Sequence, residues 1–194
     1  MPAWLARPLV LALLVAVLQT GALAAMIFER ARLIASGREI VLPTVPVDPR
    51  SLFRGDYVIL NYEISTVPAA DLVAKPGNDG DDVYVLLERR PKDGADAWAP
   101  ITASRTRPQA SGADRIVLAG WQVGNVHVHG GPNASIRVRY GIESYFVPEG
   151  AGKALEARVR AQALSVVVAV GSSGKAAIKG LVLDGKTRYD EPLF

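Results

Sequence analysis

The chain has 194 residues, with 22 Lys and Arg against 19 Asp and Glu and a formal net charge of +3. That length accommodates a membrane segment and one domain able to bury its own core, and excludes two large domains; the near-balance of charge supplies no basic surface for nucleic acid. Cysteine is absent, which removes disulfides, thiol nucleophiles and thiolate metal sites together.

The first element is an apolar run from Leu9 to Phe28, broken only by Gln19, Thr20 and Gly21. At about 1.5 Å per residue it crosses a hydrocarbon core of roughly 30 Å. A cleaved signal with Ala22-Leu23-Ala24 as the small-x-small site is the rival reading, but Ala25-Met26-Ile27-Phe28 prolongs the apolar run beyond that site, as a span requires. Arg30, Arg32 and Arg38 on the far flank argue for a cytoplasmic domain by the positive-inside rule, whereas a short leader with Arg7 before a long domain reads as a signal-anchor. The expectation is an uncleaved anchor over residues 1–28 in the cytoplasmic membrane, with the remainder facing the periplasm.

Glu29 to Gly37 continues as a short helix closed by Ser36-Gly37, and Pro43, Pro46 and Pro49 then enforce extended or turn geometry. Residues 29–50 therefore read as a helical and proline-rich linker, and residues 51–194 as a mainly β domain. Its predicted strands are Tyr57 to Ser65, Asp82 to Arg89, Trp98 to Thr106, Arg115 to Val123, Val126 to His129 and Ser135 to Glu143. In the first, Val58, Leu60, Tyr62 and Ile64 share one face, with Tyr57, Ile59, Asn61 and Glu63 on the other. In the last, Ile136, Val138 and Tyr140 oppose Arg137 and Arg139. A helix is expected over Gly152 to Leu164, followed by a hairpin of Ser165 to Val170 and Ala176 to Leu183 about the turn "GSSGK". The fold class is a β-sandwich or barrel-like sheet with one helix, preceded by a single transmembrane helix.

Several stretches carry chemical suggestions. Gly55-Asp56 is a natural corner at the start of a strand, because Gly permits the turn and the carboxylate accepts backbone N–H bonds; Arg50 and Arg54 beside Asp48 and Asp56 form a local ion-pair set. A signal-peptidase arrangement around Ser51 fails, since no Lys lies in an apolar strand to act as its base. His127 and His129 alternate onto one side of a strand, yet with no further His or Cys a metal site there is thin. Gly77 to Val85 matches one calcium-binding nonapeptide turn without the neighbouring copy such a site needs. "VGSSGKAAI" lacks the Gly and the Ser or Thr of a phosphate loop, with Ala169 and Ala176 in their places. No metal or cofactor pattern stands.

Gly55, Asp56, Tyr57, Leu60 and Tyr62 match letter for letter the pattern G-D-Y-x-x-L-x-Y, and on these residues the chain resembles the GDYXXLXY protein family of bacteria. "VDPRSLFR" and "YGIESYFVPEGAGKALE", residues 140–156, look like further parts of that family, and the resemblance spans most of residues 39–184. It implies a membrane-anchored protein found beside multi-pass membrane proteins, and implies no activity. It also directs attention to Tyr145, Phe146 and Glu149, the last near the start of the expected helix and within reach of Arg50 or Arg54 if the two motifs meet. The candidate binding residues are Arg54, Gly55, Asp56, Tyr57, Tyr62, Tyr145, Phe146 and Glu149. The expected function is non-enzymatic docking on a multi-pass integral membrane partner, with Leu9 to Phe28 in the bilayer. The alternatives are a hydrolase using Asp56 and Glu149 or His127 and His129, and a β-barrel for a small ligand.

Overall fold

The structure, a computed structural model, describes residues 3–45, 57–68, 71–72, 78–90, 97–127, 135–146, 164–183 and 187–190. Helix α1 (Ala3–Ser36) runs unbroken through the apolar segment and the good helix formers that follow it. From Val10 to Ser36 it is long and apolar enough to cross a membrane, and its apolar window is left uncovered by the described residues. The helix ends at Gly37, where a Cβ would lie 2.5 Å from the Leu33 carbonyl oxygen and 3.0 Å from the Ala169 Cβ. Only glycine lets the chain turn from helix to strand in a single residue this close to a neighbouring strand.

Strand β1 (Arg38–Val45) follows at once, inside the stretch that the sequence reading gave to a linker. Pro43, the first of the prolines expected to stiffen that approach, is a strand residue opposite Ser165. The next strands are β2 (Tyr57–Ile59), β3 (Asn61–Tyr62) and β4 (Thr66–Pro68), with a 3-10 turn at Glu63–Ser65. β5 (Asp82–Arg89), β6 (Trp98–Ser104), β7 (Arg115–His127) and β8 (Ser135–Arg139) follow, with β5 between β6 and β7, and the short β9 (Ser144–Phe146) comes after them. β10 (Leu164–Val170), β11 (Ala176–Leu183) and β12 (Thr187–Asp190) complete the described strands.

These strands make two five-stranded antiparallel sheets, in the orders β12-β11-β10-β1-β3 and β4-β8-β7-β5-β6, and a two-stranded ribbon of β2 and β9. One hydrophobic core joins the sheets: Ile40, Leu42, Val166, Val168 and Ile178 of the first and Val85, Leu87, Leu118, Ile136 and Val138 of the second belong to the same buried cluster. The mainly β sandwich expected from the sequence is therefore the architecture found. The opposite face of β10 is buried as well, through Val167 and Ala169, and α1 lies against β10 and β11 at its C-terminal end.

Two sequence expectations change. Arg115 to Val123 and Val126 to His129 are not separate strands: β7 continues to His127, with a register irregularity against β8 between Val123 and His127, where Gly124 has φ +72°. The expected single strand from Tyr57 to Ser65 is two short strands, β2 and β3, and the 3-10 turn. β2 pairs with β9 in the ribbon, β3 with β1 in the first sheet, and β4, beyond the 3-10 turn, with β8 in the second. The alternation still holds for burial over residues 60–64, since Leu60, Tyr62 and Ile64 are buried and Asn61 and Glu63 are not. Residues 57–68 thus visit the ribbon and both sheets, stitching them together. Pro68 falls on β4, an edge strand, where a missing N–H interrupts no ladder on the open side. The helix expected over Gly152 to Leu164 lies outside the described residues except for Leu164, which opens β10.

Candidate functional site

The two stretches that carry the resemblance meet through their backbones. In the ribbon Tyr57 is opposite Phe146, Val58 opposite Tyr145 and Ile59 opposite Ser144. Leu60 N–H then donates to the Glu143 carbonyl at 2.9 Å, so the contact continues past the end of β2.

Two phenols close the junction reciprocally. The Tyr62 hydroxyl donates to the Ile142 carbonyl at 2.7 Å, and the Tyr140 hydroxyl donates to the Ile64 carbonyl, also at 2.7 Å. Each tyrosine therefore reaches from one segment into the backbone of the other. The corner between β8 and β9 is held by Glu143, whose carboxylate accepts from Tyr140 N–H at 2.6 Å and Gly141 N–H at 3.0 Å. Gly141, at φ +78°, takes the left-handed conformation this corner requires.

Both phenols are buried, with Tyr62 2 % and Tyr140 3 % exposed. Burial pushes each well above the ordinary tyrosine value, and the negative charge of Glu143 adds to the effect. They remain protonated donors at neutral pH, which suits them to holding carbonyls and not to accepting a proton from a substrate.

The predicted site residues separate accordingly. Tyr62 and Tyr145 are core residues, the latter 4 % exposed, whereas Phe146 is 77 % exposed at the end of the ribbon. Tyr57 is placed by its backbone opposite Phe146. Arg54, Gly55, Asp56 and Glu149 lie outside the described residues, as do Arg50 and His129. His127 ends β7 opposite Ser135. Among the described residues no group of three His, Asp or Glu side chains is arranged to hold a metal ion.

The acidic loop read against a calcium site has backbone amides and an arginine as its partners. Asp81 accepts from Asn78 N–H at 2.7 Å and pairs with Arg105, and Asp79 accepts from Gly124 N–H at 2.7 Å. "GSSGK" is a hairpin turn: Gly171 N–H donates to the Lys175 carbonyl and Gly174 N–H to the Gly171 carbonyl, both at 2.9 Å. The partnership of Tyr140 and Glu143 with the first motif was not read from the sequence. Its signal is the "YGIE" start of the second motif, where a turn-forming Gly separates a strand tyrosine from a carboxylate two residues on.

No curated protein and no solved structure matches the chain. Over residues 19–181, a span that includes both segments of the tyrosine junction, the chain matches the family model described as GDYXXLXY protein, and it belongs to that family.

Proposed function

We propose that this protein is a membrane-anchored domain, exposed on the periplasmic side, that docks on a multi-pass integral membrane partner. One observation carries the reading: the uncovered apolar helix is joined to the β body without a flexible joint. Gly37 packs against Ala169, Arg30 donates to the Ala176 carbonyl at 3.3 Å, and Lys175 pairs with Glu29 at 2.7 Å. A partner contacting the helix within the bilayer and the body outside it would meet one rigid piece, which lowers the ordering cost of association.

The exposed Phe146 at the end of the β2–β9 ribbon supplies an aromatic contact outside both sheets. Aromatic residues are enriched in the contact centres of interfaces. The test is a photo-crosslinking amino acid placed at Leu18 on the helix and at Phe146 on the ribbon, in membranes from cells expressing the full chain. The expected result is an adduct to the same multi-pass membrane protein from both positions, and none from Ser111. Absence of an adduct from both positions overturns docking. Orientation is read separately with a periplasm-active reporter at the C-terminus, whose inactivity overturns the periplasmic placement.

A further inference from the structure

At the C-terminal end of α1, the helix, the Gly171–Lys175 turn and the chain leading into β7 enclose an open cleft of about 640 Å³, within the size range of small-ligand sites. Arg32, Arg38, Arg107, Arg115 and Lys175 line it, with Glu29 the carboxylate among the lining residues. Two of these cations are already matched. Lys175 Nζ lies 2.7 Å from Glu29 Oε1, and Arg115 donates to Glu88 Oε1 through Nε at 3.2 Å and Nη2 at 3.1 Å.

The other three have no carboxylate partner among the described residues. Arg38 donates to the Arg115 carbonyl at 2.7 Å and to the Ala113 carbonyl, and its guanidinium sits 5.4 Å from the centre of the Trp98 ring. These contacts fix its orientation and leave its charge uncompensated. Arg32 and Arg107 are exposed, and their guanidinium groups make no ion pair or hydrogen bond among the described residues. Planar guanidinium forks match phosphate oxygens in geometry as well as charge.

The position of the cleft selects the source of that phosphate. Phe28 is the last residue of the apolar run, and Arg32, four residues on, lies ~6 Å further along the helix axis. The polar layer on each side of a bilayer is roughly 5–8 Å deep. A neighbouring groove places Trp121, 40 % exposed, beside Met26 and Leu33 of the helix, as the interfacial aromatics of membrane proteins are placed. We propose that the cleft holds the phosphodiester head group of an anionic phospholipid from the leaflet in which α1 ends, with Arg32, Arg38 and Arg107 on the phosphate. The proposal rests on the anchoring part of the function proposed above and is independent of the docking part.

The experiment uses the full chain in a non-ionic detergent, titrated with short-chain phosphatidylglycerol and followed by native mass spectrometry. One phosphatidylglycerol is expected to be retained per chain, and Arg32→Gln with Arg107→Gln to weaken retention roughly tenfold or more. Neither arginine has a partner to lose among the described residues, so the fold is kept. Arg137→Gln with Arg139→Gln removes the same charge from the exposed face of β8 and leaves retention unchanged. Phosphatidylcholine or inorganic phosphate at equal concentration does not displace the bound lipid. Unaltered retention in the Arg32 and Arg107 variant, an equal loss in the β8 variant, or displacement by inorganic phosphate each overturns the lipid site. Release of the protein from membranes by alkaline carbonate instead refutes the anchoring, and is read without reference to the cleft.

Discussion

Removing the hydroxyls of the tyrosine junction is the most direct test of what the family motif does. Tyr62→Phe and Tyr140→Phe keep the buried rings and delete one donor each, leaving the carbonyls of Ile142 and Ile64 without the bond seen at 2.7 Å. Deleting the donor to a buried carbonyl costs about 1–3 kcal/mol, more than the net value of the bond itself, because the acceptor stays buried. Each variant is therefore expected to lose ~1–3 kcal/mol of unfolding free energy, which at a guanidinium slope of about 4 kcal/mol/M lowers the midpoint by roughly 0.25–0.75 M. The two bonds close the same pair of segments, residues 60–64 on 140–143, so the double variant should lose less than the sum of the singles, by about 0.5–1.5 kcal/mol. The assay is equilibrium unfolding of the full chain in detergent, read by tryptophan fluorescence. Tyr84→Phe on β5, half-buried and without a hydrogen bond among the described residues, is the control and should shift stability by under about 0.5 kcal/mol. If both junction variants unfold with the control, the phenols do not hold the segments together and the structural reading of the motif is wrong.

The same phenols give the protein an alkaline limit. Their folded values lie above the ordinary 10, so as pH rises through about 10 the unfolded chain releases two protons that the folded chain retains, and stability falls. The expected slope from these groups is about 1.4 kcal/mol per pH unit for each phenol, absent below pH ~9 and halved by Tyr62→Phe, as measured by denaturation midpoints at pH 9, 10 and 11. Gly120→Ala places a Cβ 2.3 Å from the Arg139 carbonyl and should open the β7–β8 pairing, at a loss of about 3 kcal/mol or more on thermal unfolding. Gly124→Ala has open space and carries only the left-handed backbone cost of ~1–2 kcal/mol, so the order of the two variants is itself a check. Lys179→Met breaks the partly exposed pair with Glu39 at 2.7 Å and should change stability by under about 1 kcal/mol.

How legible these features were depended on how local their causes are. β5 and β11 match the sequence reading at both ends, because an alternating or apolar run bounded by turn residues is sufficient to define each. The faces of β8 were equally plain, with Ile136, Val138 and Tyr140 buried and Arg137 and Arg139 exposed. The segment from Tyr57 to Ser65 shows the limit. Alternation identified Leu60, Tyr62 and Ile64 as inward-facing, but it carries no information about which sheet a residue joins, and that choice depends on β1, β8 and β9 elsewhere in the chain. β1 was concealed by Pro43, which depresses any strand reading although the observed pairing passes through it to Thr44 and Val45. The cationic cleft was invisible, since its arginines come from α1, β1, the chain after β6 and the start of β7 and converge only when the helix packs on the sheet.

The charges beside the helix also bear on orientation. Read by the positive-inside rule, Arg30, Arg32 and Arg38 draw the domain toward the cytoplasm. The structure gives two of them other work: Arg30 caps the Ala176 carbonyl, and Arg38 binds the carbonyls of Arg115 and Ala113 above Trp98. A charge required to hold the helix against the sheet is present whichever side the domain occupies, so these two residues lose most of their weight as topological signals. Of these three, Arg32 keeps a guanidinium that is unengaged among the described residues, and the lipid site accounts for it. Arg32→Gln is therefore expected to leave the activity of a C-terminal periplasmic reporter unchanged while it weakens phosphatidylglycerol retention. A reporter signal that changes with this single substitution would mean that its charge sets topology, and would remove the reason for assigning it to a head group.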